Sequence, residues 1–182
     1  VAFGLGYFIQ AIFLWRYTWP TAASALTVSF FHIGAICFNW GYIPLLNPSY
    51  LTKGVVIRDL LIYVVGLITY WTVAMLWHHA PTYVCLAFCI FFAYAAWSVF
   101  TFYRTYNRVS LRMIRMTSGN VMQFIRWMQV CCDCIVLFGI GSVAITAIFP
   151  NDIIPFLLLL TSGAGMFMYI AYSISNYGKY LS

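Results

Sequence analysis

The chain has 182 residues, of which 64% are hydrophobic and 7% charged, with a formal net charge of +6. A soluble domain carries about a quarter of its residues charged, so this composition cannot build a water-facing surface. The basic balance does not indicate nucleic acid, because the charges flank apolar runs and the only acids are Asp59, Asp133 and Asp152.

Read in chain order, residues 1–15 (VAFGLGYFIQAIFLW) form a short apolar run before Arg16. As a helix it would rise about 22 Å, less than the roughly 30 Å hydrocarbon core. It lacks the basic start and small-residue cleavage site of a signal peptide. It reads as the end of a span that begins upstream; a whole further span there would give seven crossings. The next run, 20–43, opens on Pro20, which suits the first turn of a helix, and Pro44 and Pro48 in PLLNPSYLTKG are expected to end it. Further spans are expected over 55–77 and 82–103, separated by WHHAPTY with Pro81. Then comes RTYNRVSLRMIRMTSGNVMQFIRW, with five arginines and no acid. The last spans are expected over 127–149 and 155–177, with FPNDIIP turning the chain between them. The backbone in lipid must bond internally, and these runs are uniformly apolar rather than alternating, so helices are expected and a barrel is not. The expected fold is all-α: one polytopic transmembrane helical bundle over 1–182 with six spans.

The arginine-rich stretch sets the orientation. If 104–126 is cytoplasmic, alternation places eight of the nine basic residues inside, namely Lys53, Arg58, Lys179 and these five arginines. Only Arg16 is then outside, which is the positive-inside pattern. The C-terminus would be cytoplasmic, and Trp15, Tyr17, Trp19, Trp77 and Tyr83 would form an outer aromatic belt. Arg104, Arg108, Arg112 and Arg115 follow helical spacing on one face, so 104–116 is expected to continue the preceding span as a basic cytoplasmic helix. Arg126 closes the segment. Anionic lipid headgroups are its expected partner, each basic residue contributing about 1 kcal/mol near the surface. An acidic partner or an attached cytoplasmic domain is the alternative.

Several groups could carry chemistry. Asp133 is set within an apolar run about two turns past Arg126, and intramembrane ionisable groups are functional candidates. An ion pair with Arg58 or Arg104 near the inner interface is the competing reading. His32 and Asn39, seven residues apart, share a helical face and read as a polar seam inside the bundle. His78 and His79 stand at the outer end of a span and form a candidate ligand or pH site. Cys131 and Cys134, in CCDC, share a face at i and i+3 and form a candidate redox pair; small buried packing residues are the competing reading. No zinc spacing, phosphate loop, catalytic triad or paired carboxylates occur, so no metal and no cofactor are expected.

The stretches TWPTAASALTVSFFHIGAICFNWGY, LLNPSYLTKGVVIRDLLIY and FYRTYNRVS resemble the N-terminal multi-helix membrane region of bacterial membrane-anchored regulators. In those proteins the bundle precedes a helix-turn-helix transcription module or a histidine-kinase module. The resemblance implies a sensor region in a bacterial cytoplasmic membrane, relaying a signal to a cytoplasmic output domain or through a homodimer partner. It carries no functional residue across. From the residues themselves, two alternatives stand beside it: a small transporter or channel subunit using Asp133, His32 and Asn39, and a membrane thiol oxidoreductase using Cys131 and Cys134.

The orientation is directly testable. Single cysteines at Ser110 and Ser118, in a background lacking the six native cysteines, are expected to resist a membrane-impermeant thiol reagent in intact cells and to react after lysis. Labelling of either position without lysis would reverse the topology.

Overall fold

The computed structural model describes residues 18–76, 81–116, 120–148 and 153–181. The expected span over 1–15 lies outside these residues, as do His78 and His79. Five helices occupy the described residues: α1 (Pro20–Leu46), α2 (Lys53–Leu76), α3 (Pro81–Met116), α4 (Asn120–Ile148) and α5 (Ile153–Leu181). Among the described residues the architecture is all-helical, and three helical segments are long and apolar enough to cross a membrane: Pro20–Leu46, Lys53–Leu76 and Leu86–Leu111. The chain divides into two compact units, Val1–Met122 and Gln123–Ser182.

In the first unit, α1 begins at Pro20, where a missing N–H costs nothing because the first turn has no acceptor for it. The helix does not stop at 43. It continues through Pro44 to Leu46. Proline removes only its own N–H, so the carbonyl of Trp40 loses its partner while the helix still closes with the Asn47 amide donating to the Ile43 carbonyl at 2.8 Å. Pro48 then sits at the second position of a tight turn, its preferred place. The Tyr50 amide closes that turn on the Asn47 carbonyl at 3.0 Å, and the Ser49 hydroxyl donates to Asn47 Oδ1.

The three helices of this unit run up, down and up. Cross-helix pairs establish this. Thr21 reaches the Ala74 carbonyl and Trp40 reaches Asp59, so α1 and α2 are antiparallel. Phe31 meets Phe91 and Phe38 meets Phe102, so α1 and α3 are parallel. The buried residues of α1 include Ala22, Ala25, Ser29, His32, Ile36, Asn39, Ile43 and Leu46. Their spacing alternates three and four, the seam of a helix packed lengthwise against its neighbours. By contrast α2 buries only a stripe, Asp59, Gly66, Tyr70, Val73 and Ala74. Ile57, Leu61, Val65, Ile68 and Leu76 are exposed on its remaining surface, as a lipid-facing helix requires.

Several serine and threonine hydroxyls in these helices are satisfied locally. Ser29 donates to the Ala25 carbonyl, Thr69 to Val65 and Thr105 to Thr101. Such back-bonding to the preceding turn lets a small polar side chain sit in an apolar surround. At the other end of the unit, α3 continues without interruption through residues 104–116. Arg104 and Arg108 are exposed. Because Arg58 packs on Trp97, Lys53, Arg58, Arg104 and Arg108 all fall at one end of the three-helix unit.

The second unit comprises most of α4 together with α5. Within it Phe138 meets Phe167 edge-on, with ring centroids 6.0 Å apart. Met128, Cys131 and Cys132 of α4 and Ile170 of α5 are buried. Both helices extend beyond the expected spans 127–149 and 155–177 at their starts, α4 from Asn120 and α5 from Ile153, with Pro155 in the first turn of α5.

One glycine in the first unit is sterically required. A Cβ on Gly66 would lie 2.9 Å from the Tyr70 hydroxyl and 3.1 Å from His32 Nδ1. A phenol ring has few torsions with which to retreat, and this one is held by the same histidine. Gly66→Ala is expected to destabilise the protein by about 1–3 kcal/mol through overpacking. At Gly41, an added Cβ meets nothing within 4 Å, so Gly41→Ala should instead stabilise by roughly 0.5–1 kcal/mol. Denaturation of the detergent-solubilised variants, followed by circular dichroism, checks both signs.

Candidate functional site: a buried polar seam

Between α1, α2 and α3 runs a series of buried polar groups. Nearest the Thr21 end is His32, fully buried. Its Nδ1 lies 3.1 Å from the Tyr70 hydroxyl. Four rings surround it: Tyr63, Tyr70, Phe91 and Tyr94, with centroids 5.4, 6.1, 6.0 and 4.9 Å away. Gly66 supplies the space that allows Tyr70 to reach the imidazole. His32 Nε2 has no hydrogen-bond partner. One ring nitrogen is therefore engaged and the other faces an aromatic enclosure.

Two turns further along α1, Asn39 is also fully buried. Its amide donates to two hydroxyls of α3, Ser98 at 2.7 Å and Tyr94 at 3.3 Å. Asn39 Oδ1 has no hydrogen-bond partner. Tyr94 touches both His32 and Asn39 and so links the two polar layers. Each interhelical hydrogen bond in a membrane bundle contributes about 0.6 kcal/mol and at most about 1.7, so these bonds position the helices more than they hold them together.

At the far end the seam becomes ionic. Asp59 is fully buried. Arg58 Nε and Nη2 both donate to its Oδ1, at 3.0 and 2.8 Å, and the Trp40 indole donates to its Oδ2 at 2.9 Å. The guanidinium also lies over Trp97 of α3, 4.3 Å from the ring centroid, where the aromatic quadrupole attracts a cation. In the adjoining loop, burial pushes the Tyr50 phenol above its ordinary pKa, an effect the nearby Arg58 cation partly offsets. Tyr50 thus remains a neutral donor.

The structure therefore brings two of the three expected polar-core residues, His32 and Asn39, into one seam. Asp133 belongs to the second unit, where it is half-buried. Arg58 has a carboxylate partner in its own sequence neighbour, Asp59. Asp59 itself, together with Gly66, Tyr70, Tyr94 and Ser98, was not expected from the sequence. A signal existed: Tyr63, Gly66 and Tyr70 share a helical face, as do Tyr94 and Ser98. On α4, Cys131 is buried and Cys134 half-buried, and neither is in a disulfide. Arg126 is exposed. Arg112 and Arg115 lie on the continuing helix of α3. Among the described residues no cluster could hold a metal ion. Comparison with known proteins finds no matching protein family, curated protein or solved structure.

The ionic end makes a graded prediction. Arg58→Met leaves a buried carboxylate with only an indole donor and is expected to cost about 3–5 kcal/mol. Asp59→Asn keeps one carbonyl oxygen for Arg58 but turns an NH2 donor toward the Trp40 indole; it should still cost less, because the guanidinium left without its carboxylate is 40% exposed and water can reach it. The double variant should fall well short of the summed single losses, because the two groups act as one unit. A double-mutant cycle on detergent-solubilised protein measures the coupling; strict additivity would show that the pair is energetically idle.

Proposed function

We propose that this chain is the sensing region of a membrane signalling protein, a six-span bundle whose basic loop and C-terminus are cytoplasmic. Its signal would pass to an output domain beyond the chain. The observation that supports the reading is the polar seam, which joins three helices yet leaves His32 Nε2 and Asn39 Oδ1 without partners. A fully satisfied network specifies one packing. A partly satisfied one holds groups that can re-pair when the helices shift, and a ligand that meets those groups in one packing better than another would move the balance between them. The sequence resemblance to membrane-anchored regulators and the basic charges at one end of the first unit agree with it. So does α3, which rises about 54 Å over its 36 residues. That exceeds a bilayer core of about 30 Å and gives a continuous rod from the seam to the basic end.

Two measurements test the reading. The reading frame is expected to continue past Ser182 into a soluble output domain; a stop codon there would remove the sensor model. In cells producing the full-length protein, His32→Ala and Asn39→Leu should shift the basal output by several-fold, read by transcript profiling or phosphorylation of the output domain. Lipid-facing Leu61→Ala should leave it unchanged. Equal output from all three, at equal membrane abundance, would argue that the seam is only structural.

A further inference from the structure

Arg58 is held on two sides, yet part of it remains open. One edge of the guanidinium, Nε with Nη2, is committed to Asp59 Oδ1, and one face rests on Trp97. Both oxygens of Asp59 are in use, since Oδ2 accepts from Trp40. The side chain as a whole is nonetheless 40% exposed. Beside it lies Tyr50, whose oxygen the guanidinium approaches and whose buried hydroxyl has no partner at hydrogen-bonding geometry. The guanidinium thus has the phenol oxygen as a neighbouring acceptor, while the phenol O–H has no acceptor of its own.

Depth indicates what could supply the acceptor. Arg58 is five residues into α2, about 7.5 Å from its start. Arginine at this depth buries its stem and turns its head toward the headgroup layer, where phosphate is the abundant acceptor. A guanidinium suits a phosphate because two parallel N–H groups match two oxygens. Here the fork is already oriented, so little side-chain freedom is lost on binding. Lys53, exposed at the start of the same helix, adds positive potential that offsets the charge of Asp59.

We propose that Arg58 and Tyr50 form a specific site for the phosphate of a membrane phospholipid, distinct from any general attraction of lipid to Arg104 and Arg108. The site stands whether or not the chain signals. Native mass spectrometry of the detergent-solubilised protein tests it, with phosphatidylglycerol, diacylglycerol of the same chains, and inorganic phosphate as separate probes. One phosphatidylglycerol should be retained per chain, with neither diacylglycerol nor inorganic phosphate retained comparably. Tyr50→Phe and Arg58→Lys should each weaken retention about tenfold, the loss of a charge-assisted hydrogen bond or of the fork. Arg104→Gln with Arg108→Gln should leave the single tight lipid in place. Equal retention of diacylglycerol would show that the acyl chains alone bind, and comparable retention of inorganic phosphate would assign the site to the free ion; either overturns the lipid site. Unchanged binding by Tyr50→Phe also overturns it, and that conservative variant decides the matter if Arg58→Lys fails to fold.

Discussion

A carboxylate cannot stay ionised inside an apolar helical bundle unless its charge is met, and Asp59 is fully buried. Its two oxygens bring an arginine from its own helix and an indole from α1 to one point. The arginine then lies on Trp97 of α3. One charge therefore fixes all three helices of the first unit at the same level. That registration matters because van der Waals packing between apolar helices in lipid tolerates sliding, whereas polar partners do not. With the ionic layer in place, Asn39 falls opposite Ser98 and Tyr94, and His32 falls opposite Tyr70.

The part of this arrangement carried by periodicity was legible in the sequence. The start of α1 at Pro20, the continuation of α3 through the arginines, and the common face of His32 and Asn39 all follow from spacing and from proline chemistry. The extension of α1 past Pro44 was not legible, because a proline near a helix end costs one bond and the turn that stops the chain lies at Pro48. Asp59 is hidden in the sequence for a different reason. Next to Arg58 and close to Lys53, it reads as one of several interfacial charges, and only the approach of Trp40 from 19 residues away distinguishes a buried carboxylate from a solvated one. Asp133 presents the reverse case. Isolated among apolar residues it draws notice, yet it is half-buried, while the fully buried acid stands in a charged neighbourhood.

Tyr70, Tyr94 and Gly66 show the same limit. Tyrosine is common in membrane helices as an interfacial anchor, so its presence alone does not indicate a core position. What makes these tyrosines part of the seam is a partner on another helix, and such partners become visible only when the register between helices is known. Gly66 is informative in the same conditional way. It resembles any other small residue in a membrane helix until the Tyr70 hydroxyl and His32 are found within 3.1 Å of where its Cβ would be.

The seam changes character along its length. At the Arg58 end each oxygen of the carboxylate has a donor, and the layer is stiff. At the His32 end the partners are aromatic faces and one phenol, and half of the imidazole's capacity is unused. A bundle built this way has an anchored end and an adaptable end, and a change of packing costs least where fewest polar bonds must break. Tyr94 spans the boundary: it packs on His32 and accepts from Asn39. Because Tyr94 belongs to α3, it ties the His32 layer to the helix that carries Arg104 and Arg108. That helix runs uninterrupted from Tyr94 past Trp97, which packs against Arg58, to the basic end.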